Sequence, residues 1–505
     1  MTLPRECPEP KTLEEAKEII RGLWGLVEAN ERLPAKVEQL ETENAELKTQ
    51  VQELLDKAGK SSRNSSKPPS SDSTAQRAKR PKKKPSSKNR GAQPGHEGHQ
   101  RTLLDESEVD DIKRHFPQAQ CGCGGDVLVD ADPCYRHQVF DLPEVKFTVT
   151  EHQVFDGQCR CCHQAHKGRW PDSTPSGQMG PTLIAWIVMM SANFHLSVRQ
   201  MQQLLVEQWQ LPFSVGAISE AQGKALPWLA PLYQDIGEYI RQEDVIHADE
   251  TRYFLDAECR WLWALATNSC LYLMTHYSRG MNAADVLLQG FKGYLVTDHY
   301  AGYNHYPREK RQLCWAHLIR HFRSISERPE FSGRIGNRLL LIANLVFRTQ
   351  HRWQRREITE PIYRRRMERL RERFEFWLDL GSSGAANRRT TRQCRHLKKD
   401  QALCWTFLKD PKIPLTNNTA ERGLRAYVIW RKLSFAVHSG RGECYMPMSQ
   451  SVVGTAKRLG LSTYSVLRQA SEEFVTTGRV ITRLPLGKQA SQLLANIKSV
   501  TTTGF

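Results

Sequence analysis

The chain has 505 residues, a formal net charge of +17 and 39% hydrophobic residues, so we expect two to four domains rather than a single small one. The basic surplus favours a polyanionic partner, although a generically basic protein would share it. No apolar run approaches the roughly 20 residues of a membrane span, and no signal sequence precedes the first predicted helix, which argues against a membrane or secreted protein.

The first predicted element is a coiled coil. Apolar residues between positions 37 and 54 recur at spacings of three and four, and one asparagine occupies a partner-facing position. Pro34 is expected to separate this helix from an earlier amphipathic one over about residues 12–33. We predict a parallel homodimer, the alternative being a helix packed on its own chain. The heptad residues are Val37, Leu40, Asn44, Leu47, Val51 and Leu54.

A basic stretch follows at residues 59–100. It is rich in Ser, Pro, Lys and Arg, lacks large apolar residues, and should be disordered when unbound. Its charge is of one sign, which favours DNA contact over a merely solvated linker. The predicted phosphate-neutralising residues are Lys79, Arg80, Lys82, Lys83 and Lys84.

Cysteines cluster between residues 115 and 171, in a chain whose thirteen cysteines lack a secretory signal and are therefore expected to be reduced. Two short knuckles lie 36 residues apart, and strands are predicted between them at 138–140 and 146–150. This pattern predicts a zinc ribbon holding one Zn²⁺, the alternative being reduced structural cysteines. The predicted ligands are Cys121, Cys123, Cys159 and Cys162. Because the first knuckle has one residue between its cysteines where two are usual, one ligand could instead be His115, Cys134, Cys161, His163 or His166.

Helical periodicity returns over residues 180–240. Two short helices, near 198–208 and 215–225, could form a helix-turn-helix that reads DNA, or could simply pack together.

The next segment is predicted to form a strand-rich core. The predicted strands cover 244–248, 261–267, 271–276 and 294–297, with a helix near 282–290 before the last of them. Three strands, a helix and a strand in this order indicate an RNase H-like fold. A charged helical segment at 318–412 is predicted to interrupt that core.

Three acidic residues stand out within short polar motifs. Asp249 and Asp298 are predicted to end buried strands, and Glu421 lies on a run with helical periodicity. Such carboxylates can converge on two divalent cations about 4 Å apart, as phosphodiester chemistry requires. Taken singly, each acid could instead be a turn, cap or surface ion-pair residue. Glu250 is expected to point to the opposite face of its strand, so that at most it supports the residues that bind the metal directly.

Four short motifs contain the three acids and a cysteine–histidine pair. They are His-Ala-Asp-Glu-Thr at 247–251, Thr-Asp-His-Tyr-Ala-Gly-Tyr at 297–303, Cys-Trp-Ala-His at 314–317 and Asn-Asn-Thr-Ala-Glu-Arg at 417–422. Together they resemble the DDE transposases of the insertion sequence 66 family. The resemblance includes shorter runs at 65–72, 93–99 and 455–461, and it extends over about residues 37–470.

This resemblance implies an enzyme that cleaves and joins DNA strands with Asp249, Asp298 and Glu421 as a catalytic triad. It implies two Mg²⁺ or Mn²⁺ ions and double-stranded DNA as element ends and target, and it leaves open whether accessory proteins of the same element take part. It also implies a bacterial, cytoplasmic protein that associates with the nucleoid when bound to DNA.

The predicted fold class is multidomain α/β with a coiled coil, a zinc ribbon, a helical domain and an RNase H-like core with a helical insertion. The predicted boundaries are 1–58, 59–100, 101–175, 176–240, 241–317, 318–412, 413–477 and a tail at 478–505.

Other assignments stay open on the sequence alone. Basic residues near Glu421 could bind phosphates or form a solvated face, and His317 with Cys314 could be a metal pair or a hydrogen-bonded core histidine. Rival functions are an RNase H-like resolvase without strand transfer and a non-enzymatic or domesticated DNA-binding protein. The basic residues concerned are Arg422, Arg425, Arg431 and Lys432.

Overall fold

The structure is a computed structural model with a mixture of helices and sheet. It describes residues 9–58, 60–65, 72–78, 101–142, 146–175, 177–384, 386–434 and 437–487. No helix in these ranges is long and apolar enough to span a membrane.

The N-terminal part is one long helix, α1 (Leu13–Ala58). Pro34 lies inside it, so the prediction that this proline separates two helices is wrong. A proline removes the hydrogen bond to the carbonyl four residues earlier, here Asn30, and since that residue is exposed, water can solvate the carbonyl instead. The apolar heptad side chains, from Val37 to Leu54, are about half exposed and belong to none of the hydrophobic cores of the described residues.

Residues 60–65 and 72–78, which we predicted to be disordered, form turns and a short helix, α2 (Thr74–Ala78). Asp72 is buried and organises the turn, because its carboxylate accepts hydrogen bonds from the Ser62 amide at 2.7 Å and hydroxyl at 2.6 Å. The Asn64 side-chain amide then donates to Glu327 at 2.6 Å. This turn is therefore attached to the folded core.

The cysteine-containing region has little regular structure. Its strands are β1 (Gly157–Gln158) and β2 (Ala165–His166), which pair antiparallel around the second knuckle. The strands predicted at 138–140 and 146–150 are wrong, since the described residues there form no ladder. Their apolar side chains, such as Val139 and Val149, are largely exposed and have no sheet to pack against.

Four helices come next, and the second and third of them begin at a serine that caps the helix. The hydroxyl of Ser197 accepts from the Gln200 amide at 3.3 Å, which starts the second of them with a capping box. Both helices of the predicted helix-turn-helix are present, and their buried residues, Met201 and Ile218 among them, face the main core. The helices are α3 (Pro181–Ala192), α4 (Val198–Trp209), α5 (Val215–Lys224) and α6 (Leu226–Ile240).

A five-stranded mixed sheet forms the centre of the remaining chain. Its order is β5-β4-β3-β6-β7, with β3, β4 and β5 antiparallel and with β6 and β7 parallel to β3. The helix α7 (Met281–Leu288) makes the crossover from β5 to β6. The strands are β3 (Val245–Leu255), β4 (Glu258–Ala266), β5 (Leu271–His276), β6 (Tyr294–Thr297) and β7 (Arg311–Leu313).

The two faces of this sheet are covered by different helices. Ile246 and Ala248 point into the core shared with α3–α6. Residues on the other face, such as Leu262 and Ala264, pack on α12 (Asn418–Ser434). The helices α8 (Trp315–Ser326), α9 (Glu330–Gln354), α10 (Glu360–Ser382) and α11 (Arg388–Lys399) build a separate core against β6 and β7. Two further helices, α13 (Gly440–Arg458) and α14 (Thr463–Thr477), complete the fold.

Candidate active site

Asp249 lies in the middle of β3, opposite Ala264 of β4. The prediction that it ends its strand is wrong, because the hairpin with β4 continues to Leu255 after the parallel pairing with β6 has stopped at His247. Side chains alternate along a strand, so Asp249 shares the face of Tyr253 and Ala264, which is the face covered by α12.

Asp298 directly follows β6, as predicted. Its Oδ1 accepts a hydrogen bond from the Tyr300 amide at 2.9 Å, which fixes the carboxylate at the start of the turn. Burial raises the pKa of Asp298, while this hydrogen bond and the positive charge of Arg279 lower it.

Glu421 lies in the first turn of α12, so the helical prediction for it is confirmed. Asn417, just before this helix, is fully buried and ties it to β3. Its side-chain Nδ2 donates to the Ala248 carbonyl at 2.7 Å, and its side-chain Oδ1 lies 3.1 Å from Nδ1 of His247. Through Asn417, the position of Glu421 is therefore coupled to that of Asp249.

The three carboxylates lie within electrostatic range of one another. Burial raises the pKa of Asp249 well above its ordinary value, and neighbouring negative charges raise it further. Those charges belong to Glu250, Asp298 and Glu421. The structure therefore brings all three predicted site residues into electrostatic range of one another. A fourth acid, Glu250, which the sequence predicted to point to the opposite face of its strand, lies within the same range.

Glu250 is buried and makes hydrogen bonds that the sequence did not predict. Its side chain is only 1% exposed and accepts from Nη2 of Arg279 at 2.8 Å and from the Tyr303 hydroxyl at 2.9 Å. Burial and the charge of Asp298 raise its pKa, and Arg279 opposes them. Arg279 was not identified from the sequence, since it follows a strand in a run without any recognisable motif.

Basic side chains of α8 approach the third carboxylate. Nε2 of His317 lies 3.5 Å, and Nη2 of Arg320 3.6 Å, from Oε1 of Glu421, which is buried and has no hydrogen bond within the described residues. Burial and the adjacent Arg320 lower the pKa of His317 to about 4. Burial likewise lowers the pKa of His321, near Asp298, to about 4. At neutral pH both imidazoles are therefore uncharged.

Among the residues with a described position, no three His, Cys, Asp or Glu side chains lie close enough together to hold a metal ion as they stand. This includes the four predicted zinc ligands, which remain as two separate pairs. Hydrogen bonds from the Gly125 amide and the Cys121 thiol lower the pKa of Cys123, and those from the Cys162 and Cys161 amides lower the pKa of Cys159.

The predicted DNA-contacting residues fall into two groups. Those of the basic stretch, residues 79–84, lie outside the described residues. On α12, Arg422, Arg425 and Lys432 are exposed and have no ion pair with any described residue. Arg431 differs, because it donates to the Arg252 carbonyl and lies over the ring of Tyr427 at 5.7 Å.

A mixed sheet with a cluster of acids beside exposed arginines defines an α/β protein with a buried acidic site. A family model for the IS66 family of transposases matches residues 176–443, which contain the whole sheet and all three carboxylates. Because the match covers more than half of the chain, the protein belongs to the IS66 transposase family. A second model, for a family of unknown function, matches residues 4–102.

The chain is also similar to uncharacterised proteins of Sinorhizobium fredii. Its alignment with the protein y4jD is 370 residues long, shows 24% identity and covers 66% of this chain and 71% of that protein. Its alignment with y4hP is 406 residues long, shows 23% identity and covers 69% of this chain and 70% of the relative. These relatives add no activity to what the family indicates.

Proposed function

We propose that this transposase cleaves DNA at the ends of a mobile element and joins those ends to target DNA, using Asp249, Asp298 and Glu421. The observation that carries the proposal is the convergence of these carboxylates from a strand, a strand end and a helix. Like charges raise one another's pKa, so gathering acids is unfavourable without a function, and active sites are where such clusters occur.

The topology supports an RNase H-like core. The order β5-β4-β3-β6-β7, with three antiparallel strands followed by two parallel ones, is the order that this fold requires. It places Asp249 on the central strand and Asp298 after the neighbouring one. The helices α8–α11 lie between β7 and α12 in sequence, as a helical insertion between the second and third carboxylates would.

The acidic set fits divalent cations such as Mg²⁺ or Mn²⁺. Asp249 and Asp298 would hold one ion, and Asp249 and Glu421 a second. The unpartnered, buried Oε1 of Glu421 and the raised pKa of Asp249 are both features that a cation would relieve. When bound, such ions activate the attacking oxygen and stabilise the leaving oxygen in phosphodiester chemistry. Sharing an ion requires the side chains to approach more closely than they do here.

The chain's own residues supply orientation and charge. Asn417 fixes the start of α12 against β3, and Arg320 and the uncharged His317 lie beside Oε1 of Glu421. The exposed Arg422, which directly follows Glu421, and Arg425, one turn further along the same helix, are well placed to neutralise DNA phosphates. The basic residues at 79–84 would add contacts outside the catalytic core.

We further propose that α1 forms a dimer and that the cysteine pairs bind Zn²⁺. Half-exposed apolar residues at heptad positions, Leu40 and Leu47 among them, leave a stripe that a second copy would cover. Each cysteine knuckle holds a thiol whose pKa is lowered, which favours the thiolate that zinc requires. A single ion would draw the two pairs together.

The proposal is tested by a joining assay. Pre-cut, labelled element ends are incubated with target DNA, Mg²⁺ and the wild-type protein, or with Glu421→Gln. The matched control is Glu368→Gln, because Glu368 is an exposed glutamate of α10 far along the chain from the triad. We expect joined products from wild type and control and none from Glu421→Gln, with DNA binding retained in all three. Joining by Glu421→Gln at the wild-type rate would refute the proposal. If the wild type cleaves uncut ends in a parallel reaction but does not join the pre-cut ends, the protein is a nuclease instead.

A further inference from the structure

Arg279 is held firmly beside the acidic cluster. Its Nε and Nη2 donate to the same oxygen of Glu250, at 3.1 and 2.8 Å. The guanidinium lies over two aromatic rings, 4.0 Å from the centroid of Tyr300 and 4.7 Å from that of Trp261. The ion pair and the two rings together restrict this long side chain to one orientation.

The groups that hold Arg279 are themselves fixed. The second oxygen of Glu250 accepts from the Tyr303 hydroxyl at 2.9 Å, and the Tyr300 hydroxyl donates to the Arg279 carbonyl at 2.7 Å. Tyr303 is fully buried, and the Glu250 side chain is only 1% exposed. A guanidinium held in this way loses little further rotamer entropy when it binds a ligand.

Arg279 keeps unused hydrogen-bonding capacity. A guanidinium has five N–H donors, and the two bonds to Glu250 use two of them. Among the described residues, no acceptor lies within hydrogen-bonding distance of the other three donors, and the side chain is 40% exposed. The charge of Arg279 also lowers the pKa of Asp298, so the guanidinium lies within electrostatic range of that carboxylate. A planar edge of N–H groups matches two oxygens of one phosphate.

We propose that Arg279 binds a backbone phosphate of the DNA strand adjacent to the reacting phosphate, with Glu250 as its positioning residue. The inference rests on the proposed function, because it takes DNA as the substrate of the acidic cluster. It assigns Glu250 a role different from that of the other carboxylates: its charge is neutralised by Arg279, and it orients the arginine instead of joining the triad. An ion pair that served only folding would not require a partly exposed arginine with unused donors within electrostatic range of Asp298.

Binding of chemically modified DNA tests this assignment. Duplexes that carry an end of the element encoding the chain receive one neutral methylphosphonate at a time across the cleavage position. Affinity is measured without divalent metal, so that no reaction occurs. The variants are Arg279→Gln, Arg279→Lys and the control Arg252→Gln. Arg252 also lies over Trp261, at 5.5 Å, but makes no bond to Glu250.

In the wild type and the control, we expect methylphosphonate at one position to weaken binding about tenfold, the size of one charge-assisted hydrogen-bonded contact. Arg279→Gln should bind unmodified DNA about tenfold more weakly and should show no further loss at that position. Arg279→Lys keeps the charge but loses the planar set of guanidinium donors, so its affinity for DNA should lie between those of the wild type and Arg279→Gln. This second variant keeps the test valid if Arg279→Gln fails to fold.

If both Arg279 variants fold and still show the wild-type loss of affinity at every methylphosphonate position, the assignment is overturned. It is also overturned if methylphosphonate weakens wild-type binding at no position. Because the assay involves no chemistry, a coupling between Arg279 and one phosphate would stand even if the joining assay failed. Conversely, normal joining by the wild type without any coupling would refute this inference alone.

Discussion

Replacing Asn417 by alanine is a stringent test of how the site is assembled. The parallel pairing of β3 with β6 ends at His247, and the next carbonyl, of Ala248, accepts its hydrogen bond from the Asn417 side chain. The same side chain contacts Nδ1 of the buried His247. Asn417→Ala removes both contacts and leaves two buried polar groups without partners.

Each orphaned buried group costs about 1–3 kcal/mol, so Asn417→Ala should destabilise the core by roughly 2–6 kcal/mol. The start of α12 would also lose its attachment to β3, and DNA cleavage should decrease even in the fraction that stays folded. The control is Asn418→Ala, since the next residue is exposed and makes neither contact. Urea denaturation, followed by circular dichroism and tryptophan fluorescence, measures the difference. Equal stability of the two variants would refute the coupling between the helix and the strand.

Three further predictions concern other parts of the chain. Ala257→Gly should stabilise the protein by about 1 kcal/mol in urea denaturation, because Ala257 has a φ of 70° in the β3–β4 turn, where a Cβ is unfavourable. Leu47→Asp should convert a dimer to a monomer in light scattering, whereas Thr42→Asp, on the outer face of the heptad, should not. Mg²⁺ should raise the thermal midpoint of the wild type more than that of Asp298→Asn, and more at about pH 8 than at about pH 5. The pH dependence follows from the raised pKa of Asp298 in the folded protein. Protonation of this carboxyl stabilises the metal-free fold at low pH, and this contribution is lost as the pH rises through the folded pKa. The deprotonated carboxylate then becomes available to the cation.

Local patterns in the sequence were enough to predict several elements of the core. The predicted strands at 271–276 and 294–297 coincide with β5 and β6, because short apolar runs with turn residues on either side define buried strands. The helix carrying Glu421 was also predicted correctly. These elements depend mainly on the residues they contain.

Other elements depend on distant partners and could not be predicted locally. The second half of β3, with Glu250, Thr251 and Arg252, looks like a loop in sequence and is a strand only because β4 pairs with it. The strand β7 contains the fully buried Gln312, whose side chain is satisfied by Cys404 and Phe407, more than ninety residues away. Polar residues of this kind do not indicate burial until the groups that bind them are known.

The candidate site shows the same division. The motifs around Asp249, Asp298 and Glu421 marked all three acids, but the sequence contained no signal for Arg279 or for its pairing with Glu250. That pairing joins two loops and two strands through packing on Trp261 and Tyr300, which only the folded chain brings together.

The most direct test of the central claim is cleavage and strand transfer on labelled DNA that carries the element's ends, with Mg²⁺, by wild type and Asp298→Ala. DNA binding by both proteins is measured in parallel. The metal–carboxylate account predicts that Asp298→Ala binds DNA like the wild type but neither cleaves nor joins it. Equal activity of the two proteins would contradict the account and favour a DNA-binding protein whose carboxylates have no catalytic role.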